Sequence, residues 1–242
     1  LASGAQPSTG RALHWLLRWL PPNCLFAQSR RWIERFESSG VPVRRLPNGV
    51  NITKFKPEAD PGAAQSMRSG LGLPAGRKVA LHIGPLNRNR NYELLIRLQR
   101  EGAWQVLVVG STTAPFVPEV RRLLVEAGAV VARRFFADIS VVYALADVYV
   151  FPVVDPNGSI EFPLTVLEAM ACDRPVVTTR FLALPEYLDE GPALRYFDGS
   201  LEGLRAALAR VQGQTGNRQR AEAFAWERVV AQVEAEFSSQ GR

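Results

Sequence analysis

The chain has 242 residues, 47% hydrophobic and 21% charged, with a formal net charge of +6 and a pI of about 9.8. That balance gives a buried core and excludes a disordered or fibrous polymer, and the lack of any apolar run near 20 residues leaves no sequence candidate for a membrane-crossing helix. Two cysteines, Cys24 and Cys172, and two histidines, His14 and His82, lie far apart; this excludes a disulfide framework and a His- or Cys-rich metal site, while the basic excess points to an anionic partner.

In chain order, residues 1–10 read as a loop, and a start at Leu1 without a charged-then-apolar leader reads as a fragment or processed product in reducing cytosol. "RALHWLLRWL" has helical period, with Leu13, Leu16, Leu17 and Leu20 on one face and Arg11, His14 and Arg18 opposite, closed by Pro21 and Pro22. It reads as a packed surface helix or as a membrane-surface or partner-binding helix anchored by Trp15 and Trp19. "CLFAQS" predicts a strand, Ser29 a cap for the helix "RRWIERFESSG", Gly40 its end, and Asn48-Gly49 a tight turn. Residues 51–77 read as a connector with one short helix near "AAQSMRSGLG".

From residue 78 the pattern alternates. "KVALHIG", "WQVLVVG", "AVVARRF", "DVYVFPV", "PVVTTR" and "ALRYF" predict strands, each followed by a helical segment, and "NRQRAEAFAWERVVAQVEAEFSS" predicts one long final helix. Nearly continuous apolar strands separated by helices imply an α/β unit with a doubly wound, mostly parallel sheet. In such a sheet ligands bind outside the carboxyl ends of the strands.

The loop after the first of these strands, "GPLNRNRNY", offers Gly84 for close backbone approach and Arg88 and Arg90 for an anion. The next offers Gly110, Ser111 and Thr112, and the third Arg133 or Arg134. The fourth passes through the polar run Asp155–Ser159 into a helix whose first turn, around Pro163, Leu164 and Thr165, suits an anion. Glu168 lies one turn further in, where a carboxylate accepts two hydrogen bonds from a diol. The chain has neither G-x-x-x-x-G-K-[ST] nor G-x-G-x-x-G.

The blocks "LPNGVNITKFKP", "HIGPLNRNRNYELLI", "VLVVG", "YALADVYVFP", "FPLTVLEAMACDRPVVTT", "LPEYL" and "FAWERVVAQVE", in that order across residues 24–238, resemble the C-terminal half of the GT-B glycosyltransferases of family 4. The resemblance implies a Rossmann-like donor domain over 46–242, with a long last helix crossing back through Trp226, and the tail of an N-terminal acceptor domain over 1–45. It implies a nucleotide-diphosphate sugar as donor substrate, a glycan or lipid-linked acceptor, retention of anomeric configuration and no metal cofactor, while scattered basic residues without a stacking platform argue against a nucleic-acid partner. It also implies polysaccharide biosynthesis in the cytoplasm or at the inner face of a membrane, and an isolated half without activity of its own.

Of the family's two diphosphate-binding cations, the arginine position is Pro85 and the lysine position is Arg90, with Arg88 a substitute for the lost charge. Of its two glutamates, the second matches Glu168, the ribose ligand. The first falls on Ile160, with Glu161 and Asp155 as neighbours able to compensate. These departures speak for one alternative, a non-catalytic or partner-dependent nucleotide-sugar-binding module; a sugar-nucleotide epimerase on the same fold is the other.

Overall fold

A computed structural model of the chain describes residues 15–17, 19–37, 39–57, 61–211, 213 and 216–240. It opens with a small βαβ unit. Strand β1 (Leu25–Ala27) pairs in parallel with β2 (Val43–Arg45) through α1 (Arg30–Glu37). The connector then carries α2 (Pro61–Gly70).

The main sheet has six parallel strands: β3 (Val79–Gly84), β4 (Gln105–Gly110), β5 (Val130–Ala132), β6 (Val148–Phe151), β7 (Val176–Thr179) and β8 (Leu194–Phe197). Their order is β5-β4-β3-β6-β7-β8. Strands β4, β6 and β7 are buried along their whole length, as a sheet covered on both faces demands. The crossovers are α3 (Tyr92–Arg100), α4 (Pro118–Glu126), α5 (Ser140–Ala144), α6 (Leu164–Ala171) and α7 (Leu184–Tyr187), and α8 (Leu201–Arg210) follows β8.

Strand alternation sorts the core into two layers. Val79, Leu81, Leu107 and Val109 pack with α5 and α6, whereas Ala80, Val106 and Val108 pack with α3 and α8. Each large side chain fully buried this way contributes about 1.5–3 kcal/mol. The expected doubly wound parallel sheet is therefore present. The strand order reverses between β3 and β6, so the crevice that such sheets use for ligands opens there.

Four local expectations are corrected. Asn48-Gly49 is no turn: the segment runs extended, and a Cβ on Gly49 would collide with the indole of Trp226. Ser29 starts α1 through its carbonyl, which accepts from Trp32 N and Ile33 N; its buried hydroxyl has no partner. The N-terminus of α1 is capped from outside, by Glu186, whose carboxylate accepts from Arg30 N at 2.9 and 3.2 Å. The strand expected through "AVVARRF" stops at Ala132.

The last helix is not single. It is α9 (Asn217–Ala221), a 3-10 turn over Glu222–Phe224, and α10 (Trp226–Gln240), broken at Ala225 with ψ 141°. The break is where the connector zips on. Val50 N donates to Phe224 O at 2.8 Å and Trp226 N donates to Val50 O at 3.2 Å. An uninterrupted helix would keep those backbone groups for itself.

At the other end, residues 15–17 and 19 are helical; Arg11, Leu13, His14 and Arg18 lie outside the described residues. Of the described residues of the leucine face expected there, Leu17 is buried, while Leu16 and Leu20 join Trp15 and Trp19 in solvent. Among the described residues no helix is long and apolar enough to cross a membrane.

Candidate functional site

The crevice between β3 and β6 is built by two loops that touch. After β3, a 3-10 turn over Arg88–Arg90 runs into α3 through Asn91, whose backbone is left-handed (φ 55°). Asn91 Nδ2 donates to Pro152 O in the loop after β6 at 3.1 Å. That second loop is shaped by Asp155, whose carboxylate accepts from Asn157 N at 2.8 Å and starts a turn over Pro156–Gly158. The two loops meet at Gly158, where a Cβ would strike the carbonyl oxygen of Asn89 and Val153.

Arg90 is turned inward. It is 8% exposed, its guanidinium lies against Gly84 and its Cζ sits 5.9 Å from the Phe151 ring centroid. A Cβ on Gly84 would sit 2.8 Å from Arg90 Nη1, so the glycine is what lets the cation lie there. No carboxylate among the described residues pairs with Arg90, and its buried Nε has no acceptor. Burial pushes its pKa down, against the smaller opposing influence of Tyr149 and Tyr92. A desolvated cation without a counter-ion is costly, and proteins bury charges paired or aimed at a ligand.

Across the crevice, α6 brings Thr165 and Glu168. Val166, Leu167, Ala169, Met170 and Ala171 of the same helix are buried, so the apolar run anchors it. Tyr149 on β6 donates to Thr165 Oγ1 at 2.7 Å, and Tyr143 on α5 donates to Glu168 Oε2 at 2.6 Å. Burial raises the Glu168 pKa; the Tyr143 hydrogen bond and the charge of Lys54 oppose it. Tyr143 and Tyr149 were not singled out from sequence. The signal available was hydroxyls inside otherwise apolar segments, "VVYALA" and "VYVF", which must find partners once buried.

Gly84, Arg90, Thr165 and Glu168 thus converge, bridged by the two tyrosines. Gly110 lies on the same rim, in register with Gly84 and packed against Leu86. Ser111 Oγ is spent on the amides of Thr113 and Ala114, and Arg133 grips Ser111 O and Thr112 O at 3.1 and 3.2 Å. Pro163 is buried ahead of the first turn of α6, and Leu164 is part-exposed.

Three candidates point elsewhere. Arg88 is exposed and its charge acts on Glu119 of α4. Arg134 lies over Phe136 and beside Met67 Sδ. Glu161 Oε1 accepts from Trp32 Nε1 of α1, in the small βαβ unit, at 3.0 Å, while its buried Oε2 has no partner. That unit is further tied down by Asn48, which accepts from Gln28 at 2.5 Å and donates to Phe162 O at 2.6 Å. No three His, Cys, Asp or Glu side chains among the described residues are grouped as a metal site would need.

The family model for group 1 glycosyl transferases matches residues 77–212. The D-inositol 3-phosphate glycosyltransferase of Corynebacterium jeikeium is 32% identical over 182 residues, covering 69% of this chain and 42% of that protein. The alpha-maltose-1-phosphate synthase of Mycolicibacterium smegmatis is 25% identical over 219 residues, covering 79% and 55%. The chain spans about half the length of the curated relatives it matches. Among solved structures, Anabaena HepE in complex with UDP and glucose superimposes with a TM-score of 0.78 at 19% identity, covering 96% of this chain and 67% of that one. Sucrose-phosphate synthase from Thermosynechococcus elongatus gives 0.74 at 23% identity, covering 98% and 64%.

Proposed function

The chain belongs to the group 1 glycosyltransferases, and we propose that its doubly wound domain, residues 46–242, holds a nucleotide-diphosphate sugar in the crevice between β3 and β6. Residues 1–45 are then the end of an acceptor domain. The observation that carries this reading is Arg90: a buried arginine with no counter-ion among the described residues, at the strand-order reversal, where a diphosphate would complete it. Glu168, steadied by Tyr143, accepts the two ribose hydroxyls, and the first-turn amides of α6 add dipolar stabilisation to the anion. The complexes of HepE with UDP and with UDP-glucose support this choice of ligand class.

In the transfer we infer, the bond from the anomeric carbon to the diphosphate oxygen breaks, and the acceptor oxygen bonds to that carbon on the same face. The acceptor proton passes to the departing phosphate oxygen, and configuration is retained. Arg90 and the α6 amides stabilise the charge that grows on the diphosphate. The acceptor, a glycan or a lipid-linked sugar, binds to the other half of the protein, so this half alone does not transfer sugar. No metal takes part.

One observation favours a second reading, a module that binds the nucleotide without catalysing transfer: the donor-sugar side offers Ile160 in place of a carboxylate, and one oxygen of the neighbouring Glu161 is taken by Trp32. Titration calorimetry with UDP, GDP, ADP and their sugar conjugates tests the first reading. One nucleotide diphosphate should bind selectively and lose affinity in Arg90→Ala and Glu168→Ala. Binding unaffected by either substitution would sink it. Binding of the nucleotide with no contribution from any attached sugar would favour the module.

A further inference from the structure

Resting on the diphosphate reading above, we propose that His82 is a positioning residue for Arg90: a neutral imidazole whose Nε2 lone pair receives an N–H of the guanidinium and fixes the cation against the bound diphosphate. The transfer chemistry itself calls for no imidazole on β3. Yet His82 is fully buried there, two residues before the glycine on which Arg90 rests.

The tautomer follows from one contact. His82 Nδ1 lies 2.9 Å from Val150 O. A carbonyl oxygen only accepts, so Nδ1 carries the proton. Burial first, and the charge of Arg90 second, hold the imidazole pKa down at about 3. The ring is therefore neutral near pH 7, and Nε2 is a lone-pair acceptor. That atom is buried and has no donor.

Its missing partner is close by. A Cβ on Gly84 would lie 3.2 Å from His82 Nε2, 2.8 Å from Arg90 Nη1 and 3.0 Å from Arg90 Cζ. An acceptor without a donor and a guanidinium whose Nε–H lacks an acceptor thus lie over the same backbone atom. Both groups are confined by aromatic rings. Tyr92 meets the imidazole edge-on at 5.4 Å, Tyr149 stacks at 6.3 Å, and Phe151 lies beneath Arg90.

The chemistry explains why an imidazole suits this place. A guanidinium presents five N–H groups in a rigid fork. An anion engages one edge and leaves the rest needing an acceptor. A carboxylate there would neutralise the cation and compete with the diphosphate. A neutral imidazole satisfies the fork and leaves its charge available to the ligand.

Calorimetry with UDP, GDP and ADP, and with the matching nucleoside monophosphates, tests this. His82→Asn retains a donor near Val150 O and withdraws the acceptor; His82→Gln supplies one at the depth of Nε2. His82→Asn should weaken the preferred diphosphate by about ten- to a hundredfold, leave the monophosphate nearly unaffected, and have no further effect in an Arg90→Ala background. His82→Gln should recover most of the loss. An equal loss with the monophosphate, or in the Arg90→Ala background, would assign His82 a merely structural role and overturn the proposal. Unchanged affinity in His82→Asn overturns it too, while leaving the diphosphate reading intact; failure of the unaltered chain to bind any diphosphate overturns both. Should the Asn variant not fold, long-range proton–nitrogen correlation on the unaltered chain decides. The His82 Nε2 resonance should move upfield when the diphosphate saturates, and an unmoved resonance refutes the contact.

Discussion

Replacing Arg90 with methionine should make the ligand-free protein more stable and its nucleotide binding far weaker. Arg90 is 8% exposed, and its guanidinium faces Gly84 and Phe151 and has no carboxylate partner among the described residues. Its desolvation costs several kcal/mol, and the contact with Phe151 returns roughly 0.5–2 kcal/mol. Methionine fills a similar volume without a charge, and such exchanges are stabilising by about 1–3 kcal/mol. For a domain of this size that raises Tm by about 2–12 °C. Against this, removal of a buried charge partner costs a bound anion about 2–5 kcal/mol, or roughly thirtyfold to several-thousandfold in Kd. Differential scanning calorimetry without ligand, paired with titration of the preferred nucleotide diphosphate, reads both quantities on one preparation. A lower Tm in Arg90→Met, or binding equal to that of the unaltered chain, would refute the idea that this cation is held in readiness for an anion.

Glu168 has a folded-state pKa raised above its unfolded value near 4.3. Between the two values the folded state holds more protons, so stability falls as pH rises through that window. Glu168→Gln should flatten the fall, measured as urea midpoints from pH 4 to 8; parallel curves would contradict it. Gly158→Ala forces the loops after β3 and β6 apart at Asn89 O, a backbone atom that cannot step aside. It should weaken nucleotide binding at least tenfold by about 1.4 kcal/mol or more while leaving far-ultraviolet circular dichroism unchanged, and unaltered binding would show that the loops are not coupled. Arg218 donates to Phe55 O, Ala171 O and Ile52 O at 2.8–3.1 Å, joining the connector to the C-terminal end of α6. Its exchange for alanine should destabilise by about 2–4 kcal/mol; a loss within 0.5 kcal/mol, the range of surface changes, would mean water replaces it.

The sheet was legible in sequence because parallel strands buried on both faces must be apolar along their length, and "WQVLVVG" and "DVYVFPV" are. The places of Arg90 and Glu168 on their elements were legible because loop position after a strand, or depth in a helix, is set by counting. What failed was whatever depends on a distant partner. Asn48-Gly49 has turn chemistry, but the asparagine amide bridges Gln28 and Phe162 and the glycine makes room for Trp226. The long final helix has helical period throughout, but backbone groups around Ala225 are claimed by Val50. Glu161 Oε1 meets Trp32 and Arg134 lies beside Met67, contacts with residues far off in the chain that no local pattern shows. The two tyrosines of the crevice were invisible for the same reason: their roles are defined by Thr165 and Glu168 across the sheet.

The junction at Ala225 has a consequence for synthesis on the ribosome. The carbonyl of Phe224 that receives the Val50 amide, and the Trp226 amide that completes the pair, leave the exit tunnel only after all six strands of the main sheet. Until then Val50 and Gly49 have neither their backbone partner nor the indole that covers them. The sheet can collapse as it emerges, since domains form during elongation. The segment that carries Asn48 to Phe162 is sealed last, so a chain cut short just before residue 224 holds all six strands but lacks the contacts that fix Val50 and Gly49.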